Sequence, residues 1–329
     1  MDISSNRWRT NRILLLSGLV LGVAALFASQ TLWASLISCH ETYDLLNPTL
    51  PCGDSQRRSE WEYEHMRKSI IAAIAAMENA GMAKHVSVYF RELDNGPRFG
   101  VEEYEQFYPA SLLKVPDMIA ILHAADRQPS LLDETLVSPA SLSAVANVEQ
   151  PEQTIQPNTS YTVRELLQKM IAYSDNDSKN LLVQKLNSMP PPTVRDTFLD
   201  LGVMPMMNGS TNYVSIQSYA YLFSVLYNAG YLSKEMSQYA LDLLSQSTYE
   251  DGLEAGVPAN VRVAHKFGYR ILPNGEHQLH DCGIIYHPST SYVLCIMTSG
   301  PAIESDASAI AAISRLMYDQ ITSLHLENR

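Results

Sequence analysis

Residues 107–116 read Phe107-Tyr108-Pro109-Ala110-Ser111-Leu112-Leu113-Lys114-Val115-Pro116, with a helical pattern following from Val115 to Ala125. Residues three apart on a helix share a face, so Lys114 can reach the Ser111 hydroxyl. A serine hydroxyl is a poor nucleophile until a neighbouring base takes its proton. A lysine amine can be that base when burial or other cations lower its pKa. The same four residues also read as an ordinary helix start, with Ser111 near the N-cap and Lys114 in water. Two later segments bear on the choice. Ser174-Asp175-Asn176 lies between helical patterns at 163–173 and 178–186, where its residue types also suit a capped turn. Lys266-Phe267-Gly268 ends an extended pattern that begins at Val261, and also reads as a strand closing on a glycine.

Working outward, the chain alternates between two kinds of patterning. Met66, Ile70, Ile71, Ile74 and Met77 recur at helical spacing within a helix over 59–82. His85 to Phe90 alternates like a strand, and Asp94-Asn95-Gly96 predicts a hairpin to Arg98–Val101. Residues 108–245 read as helices, with Val163–Ala172, Lys179–Leu186 and Tyr219–Tyr227 the clearest, and Pro190-Pro191-Pro192 as a break. Strands follow at Val261–Phe267, Gly283–Tyr286 and Tyr292–Thr298, the last two joined by a loop at 287–291, and Ala307–Ile321 closes as a helix. Strands at both ends with helices between predict an α+β fold: an antiparallel sheet from the two chain ends, with a helical subdomain inserted.

The three motifs in this order are similar to the signature of the penicillin-recognising serine hydrolases, closest to the class A β-lactamase-like group. Residues 107–116 resemble the segment around that family's nucleophile. Val263–Gly268 and Asp281-Cys282-Gly283-Ile284-Ile285-Tyr286 resemble its two core strands, and the likeness covers about residues 60–325. It implies the serine β-lactamase and D,D-peptidase fold and a covalent acyl-enzyme on Ser111. Lys114 would share in deprotonating Ser111, and Ser174 would relay a proton to the leaving nitrogen. Asn176 would hydrogen-bond the substrate amide, and Lys266 with Gly268 would belong to the substrate-binding strand. The N–H groups of Ser111 and Tyr269 would form the oxyanion hole. The implied substrates are β-lactams or peptidoglycan-like peptides resembling D-alanyl-D-alanine, with no cofactor and no metal. The alternatives are a D,D-peptidase or esterase, or a penicillin-binding cell-wall sensor with little turnover.

Two positions depart from that family. Phe267 stands where it has a threonine or serine whose hydroxyl helps hold a carboxylate. The stretch Val203 to Gln217, where the class A enzymes carry a water-activating glutamate on an omega loop, contains no Asp or Glu. The nearest carboxylates in sequence are Asp196, Asp200 and Glu235. Slow release of the acyl group is therefore expected.

Composition narrows the class further. With 23 Lys and Arg against 35 Asp and Glu, the net charge is −12, which disfavours a general nucleic-acid binder. At 46% hydrophobic residues the chain can bury a full core. Arg7, Arg9 and Arg12 precede the uncharged residues 13–37, long enough at about 1.5 Å per residue to cross a ~30 Å hydrocarbon core. The expected organisation is a cytoplasmic tail (1–12), a transmembrane anchor or signal peptide (13–37), an extracytoplasmic tether (38–57) and the hydrolase domain (58–329). Cleavage at Ala28 or Ala34, or lipidation at Cys39, would release or re-anchor the same extracytoplasmic domain. If Tyr286 and Ser291 face each other, Cys282 and Cys295 fall opposite, either as a disulfide or as two buried thiols. Cys39 and Cys52 could pair across the tether. His277, His280, Cys282 and His287 invite a zinc reading, but their spacing is irregular and a His-rich strand is the simpler account.

Overall fold

The computed structural model describes residues 43–47, 60–94, 96–142, 153–203, 206–208 and 211–327. The expected tail and anchor, most of the tether, and the Cys39 and Cys52 pair lie outside the described residues. No helix among the described residues is long and apolar enough to cross a membrane.

Helix α1 (Glu60–Asn79) leads into the hairpin β1 (His85–Glu92) and β2 (Arg98–Val101). After β3 (Gln106–Phe107), a 3₁₀ turn at Ala110–Leu113 runs directly into α2 (Lys114–Arg127). Strands β4 (Thr135–Val137) and β5 (Ser160–Thr162) precede α3 (Val163–Ala172), α4 (Asn176–Asn187) and α5 (Val194–Asp200). Then come β6 (Met206–Asn208), β7 (Thr211–Ser215), α6 (Ile216–Tyr227) and α7 (Lys234–Leu244). Strands β8 (Val263–Ile271), β9 (His277–His287) and β10 (Thr290–Gly300) and helix α8 (Ile303–Glu327) complete the order.

The main sheet runs β2-β1-β10-β9-β8, so the first and last parts of the chain meet at the β1–β10 pairing. Alternation along the strands feeds two cores. On one face, Val88, Phe90, Leu294, Ile296 and Ile285 pack with Ile70 of α1 and Ile310 and Ile313 of α8. On the other, Tyr89, Val293, Cys295, Met297, Cys282 and Ala264 pack with the inserted helices. The predicted architecture is therefore the observed one. Tyr286 pairs with Ser291 and Cys282 with Cys295, and these two cysteines form a disulfide.

Residues 108–245, read as helices, also hold the short antiparallel pair β4–β5, too short to show a period, and three further details differ from the sequence reading. Strands β9 and β10 extend until His287 pairs with Thr290, leaving only Pro288 and Ser289 at the turn. Residues 206–208 and 211–215, in the stretch compared with an omega loop, form an antiparallel pair whose second strand also pairs with β3. Strands this short carry too little alternation to stand out in sequence. Residues 43–47, expected within a tether, lie against the domain. Leu45 and Leu46 are buried, Asn47 N donates to Tyr227 O at 2.9 Å, and Arg262 pairs with Asp44 at 2.9 Å.

Candidate active site

The 3₁₀ turn sets the geometry between Ser111 and Lys114. Side chains at i and i+3 eclipse in a 3₁₀ helix, closer than on an α-helix. Lys114 Nζ lies 3.0 Å from Ser111 Oγ. Ala110, just before the serine, has φ 48, a left-handed conformation uncommon for a residue with a side chain. Buried bonds hold the turn on both sides. Tyr219 OH donates to Leu112 O at 2.9 Å, and His280 Nε2 lies 3.0 Å from Tyr108 O. Gln278 Oε1 accepts from Tyr108 N at 3.2 Å, and the Arg270 guanidinium lies 3.7 Å above the Tyr108 ring.

The second wall is the joint between α3 and α4. Asp175 is the N-cap of α4 and accepts from the N–H groups of Asp177 and Ser178 and from the Ser178 hydroxyl. That cap fixes where Asn176 starts the helix. Ser174 has φ 56, also left-handed, and this turns both its carbonyl and its hydroxyl toward Lys114. Lys114 Nζ donates to Ser174 O, and lies 3.0 Å from Ser174 Oγ and 2.8 Å from Asn176 Oδ1. Non-glycine residues in such conformations typically cost about 1–3 kcal/mol each and concentrate at functional sites.

Four oxygens thus surround one nitrogen that can carry at most three N–H bonds. Two of them, Ser174 O and Asn176 Oδ1, can only accept. The other two are hydroxyls, which can turn their own proton toward the nitrogen. The cage can hold a neutral amine, with two N–H donors for the obligate acceptors and a lone pair toward a serine hydroxyl, as well as an ammonium that donates three N–H bonds. The electrostatics favour the amine. Burial first, then the Lys266 and Lys179 charges, push Lys114 well below its usual value, against Asp175 and Asp117.

The third wall is β8, an edge strand of the main sheet. Tyr286 N donates to Arg262 O and Leu272 N to Glu276 O, so even-numbered residues of β8 bond to β9. The N–H of Tyr269 consequently points away from the sheet at its free edge. Lys266 and Gly268 share the face that meets the nucleophile turn. A Cβ at Gly268 would lie 2.7 Å from Pro109 O and 3.1 Å from Leu112 N, so glycine there is a packing requirement. Lys266 is fully buried. Phe267 carries no hydroxyl. Its ring stacks on Tyr249 at 4.3 Å between centroids, and the Lys266 ammonium lies 4.2 Å from its centroid.

Of the residues expected at the site, Ser111, Lys114, Ser174 and Asn176 converge on one hydrogen-bonded cluster. Lys266, Gly268 and Tyr269 border it on β8. The carboxylates Asp196, Asp200 and Glu235 are engaged elsewhere. Asp196 accepts from Thr193 N at 2.7 Å in a capping box, Asp200 from Tyr231 OH at 3.0 Å, and Glu235 from Tyr43 OH at 2.5 Å. The His-rich strand splits: alternation puts His277 and His287 on one face of β9, His280 and Cys282 on the other. His287 meets Thr322 Oγ1 at 3.0 Å, and among the described residues no group of three or more His, Cys, Asp or Glu could hold a metal ion.

Sequence reasoning passed over the supports Tyr219, Gln278 and His280, and the pair beneath β8. There, fully buried His265 lies 2.8 Å from Asp281. Burial lowers the His265 pKa, but Asp281 and Glu254 outweigh it and bring it to about 9. The one sequence signal was a histidine and an aspartate on adjoining apolar strands, where an unpaired charge would be costly.

The sequence profile of the β-lactamase enzyme family matches residues 67–321. The chain belongs to that family. A comparison with curated protein sequences finds no match. Its fold is similar to that of a β-lactamase from Chitinophaga pinensis DSM 2588, at 22% identity and TM-score 0.67, covering 78% of this chain and 99% of the other. It is also similar to PBP-A, at 21% identity and TM-score 0.65, covering 82% and 98%. TLA-1, an extended-spectrum β-lactamase, matches at 20% identity and TM-score 0.67, covering 77% and 98%.

Proposed function

We propose that this member of the family is a serine hydrolase that forms a covalent acyl-enzyme on Ser111 with β-lactams or D-alanyl-D-alanine-like amides, and releases it slowly. The observation that carries the proposal is the buried Lys114 amine, 3.0 Å from both Ser111 Oγ and Ser174 Oγ. The neutral amine takes the Ser111 proton as Oγ bonds to the acyl carbon. The amide C–N bond breaks, and Ser174 passes a proton to the departing nitrogen. Lys266 holds positive potential beside this path, and Asn176 orients the acyl side. The N–H groups of Ser111 and Tyr269 receive the developing oxyanion. A mutant of PBP-A, whose fold this chain resembles, forms an acyl-enzyme complex with penicillin G. Slow release is supported by the absence of any Asp or Glu in 203–217 and by the engagement of Asp196, Asp200 and Glu235 elsewhere.

Intact-mass spectrometry of the soluble part mixed with a β-lactam tests the reading. A long-lived adduct on the Ser111 peptide is expected. It should be absent in Ser111→Ala and formed about 10²–10⁴ times more slowly in Lys114→Ala, the usual worth of a general base. Rapid multiple turnover with no adduct would sink the slow-release reading, and no adduct with any β-lactam would sink the substrate class.

We also propose that residues 40–329 lie outside the cytoplasm, behind a transmembrane anchor or signal peptide at 13–37 read from the arginines before it. The disulfide between Cys282 and Cys295 supports an oxidising compartment. An exposed cysteine introduced on the domain should react with a membrane-impermeant reagent in intact cells. Reaction only after lysis would refute the placement.

A further inference from the structure

The charge cluster around Lys114 includes a buried carboxylate that serves neither the acylation steps nor a helix cap. Asp117 lies three residues beyond Lys114 on α2, so the two share a helix face. It is 3% exposed, and its Oδ2 has no hydrogen-bond partner. The other carboxylate acting on Lys114 is Asp175, whose oxygens serve the N-terminus of α4. Asp117 caps no helix, and the charges acting on it are first Lys179 of α4 and then Lys114 of its own helix. Lys114 in turn is acted on by Lys266 of β8, Asp175 before α4, Lys179 of α4 and Asp117. Burial raises the Asp117 carboxyl to about 6, against the pull of the two lysines.

A buried carboxylate one turn from a buried lysine favours the ammonium form of that lysine. Lys266 and Lys179 favour the amine. The balance of the cluster therefore changes when Asp117 gains or loses its proton.

We propose that Asp117 is a positioning residue that tunes the basicity of Lys114, favouring its ammonium form when ionised and ceasing to do so when protonated or absent. The inference rests on the reading of Ser111 and Lys114 as nucleophile and base, and concerns how that base is tuned. It implies that this chain delays the onset of acylation toward higher pH than the three lysines alone would give.

The test is the pH dependence of Ser111 labelling, measured with a penicillin and separately with a fluorophosphonate. The second reagent reports serine nucleophilicity without β-lactam recognition. Asp117→Asn should move the acid limb about one pH unit lower, the lesser effect of an opposite charge at close range, so labelling on that limb quickens about tenfold. The difference from the parent protein should vanish below pH about 6, where the parent carboxyl is itself protonated. Asp117→Glu keeps the charge and should keep the parent profile. If the amide variant does not fold, Asp117→Leu removes the same charge and leaves no polar atom to satisfy. Identical profiles for the neutral variants and Asp117→Glu would overturn the inference and leave the proposed reaction standing. A shift seen with the fluorophosphonate, but no penicillin labelling of the parent protein, would uphold the inference and remove the substrate reading. Failure of both reagents to label the parent protein would overturn both.

Discussion

The turn that bears Ser111 and the strand pair at 206–215 share a support but differ in chemistry. Strand β3 leads directly into Tyr108, Pro109 and the 3₁₀ turn, and β7 pairs with β3 through Gln106–Ser215 and Phe107–Val214. The first region carries a buried amine, two serine hydroxyls and an amide within hydrogen-bonding reach. The second contributes backbone pairing, and its stretch of sequence, 203–217, holds no carboxylate. Making an acyl-enzyme and breaking one place different demands on a site. The first needs a nucleophile and its base, and the second a base beside the acyl carbonyl. The Ser111 cluster suits the first demand, and the stretch 203–217 offers no carboxylate for the second.

Supplying what the second region lacks should have the largest effect. A glutamate placed singly at each position from 203 to 217 should, at one or two positions, speed release of the acyl group by about 10²–10⁴. Adduct lifetime by intact mass reads this directly. No acceleration anywhere in the scan, with acylation intact, would mean that the missing carboxylate is not what slows release.

The joint between the two regions should fail in acid. His280 contacts Phe107, which pairs with β7, at 5.2 Å between ring centroids, and it meets Tyr108 O before the nucleophile turn. Burial lowers its pKa to about 4, against the opposing hydrogen bonds, from a usual 6.5. The folded form thus holds fewer protons there than the unfolded chain. Its contribution is complete above about 6.5 and is lost as pH falls toward 4, to the extent of about 3 kcal/mol. Thermal melts from pH 7 to 4 should show this slope, and it should flatten in His280→Asn. An unchanged slope in the variant would assign the acid sensitivity to other groups.

A smaller effect should sharpen the contrast from the other side. Tyr219→Phe removes the donor to Leu112 O inside the nucleophile turn, worth about 1 kcal/mol for a neutral buried bond. Acylation should slow more than the lifetime of the adduct changes, because the variant disturbs only the first region. Equal changes in both rates would show that the two regions move as one.

Much of this was legible in the residues, for identifiable reasons. Periodicity located α3 at Val163–Ala172 and β2 at Arg98–Val101 with the observed bounds, because apolar spacing and turn chemistry both mark them. The register that sets Cys282 opposite Cys295 could be counted out from the β9–β10 turn once Tyr286 was set against Ser291, but that count left open whether the two would bond or stay as buried thiols. The motif residues Ser111, Lys114, Ser174 and Asn176 were readable because each chemistry needs its own residue type. The strand pair at 206–215 was not, because three to five residues hold no clear period. Phe267 looked like the loss of a hydroxyl, while its stacking on Tyr249 depends on a segment packed from elsewhere in the chain.

By itself the sequence determined the placement of the main-sheet strands at both chain ends with helices between, the two-sided apolar patterning that builds both cores, and the residue types that meet around Lys114. These are local properties: spacing, turn preference and the chemistry of single side chains. The tertiary structure decided which of those groups share one nitrogen, how deeply Lys114 is buried and which lysines and aspartates act on it. It also set the Tyr269 N–H at a free sheet edge and left Gly268 as the one residue slim enough to meet the nucleophile turn. The physical reason is that desolvation, charge coupling and close approach depend on distances between segments far apart in the chain, and those distances exist only once the sheet has closed around the inserted helices.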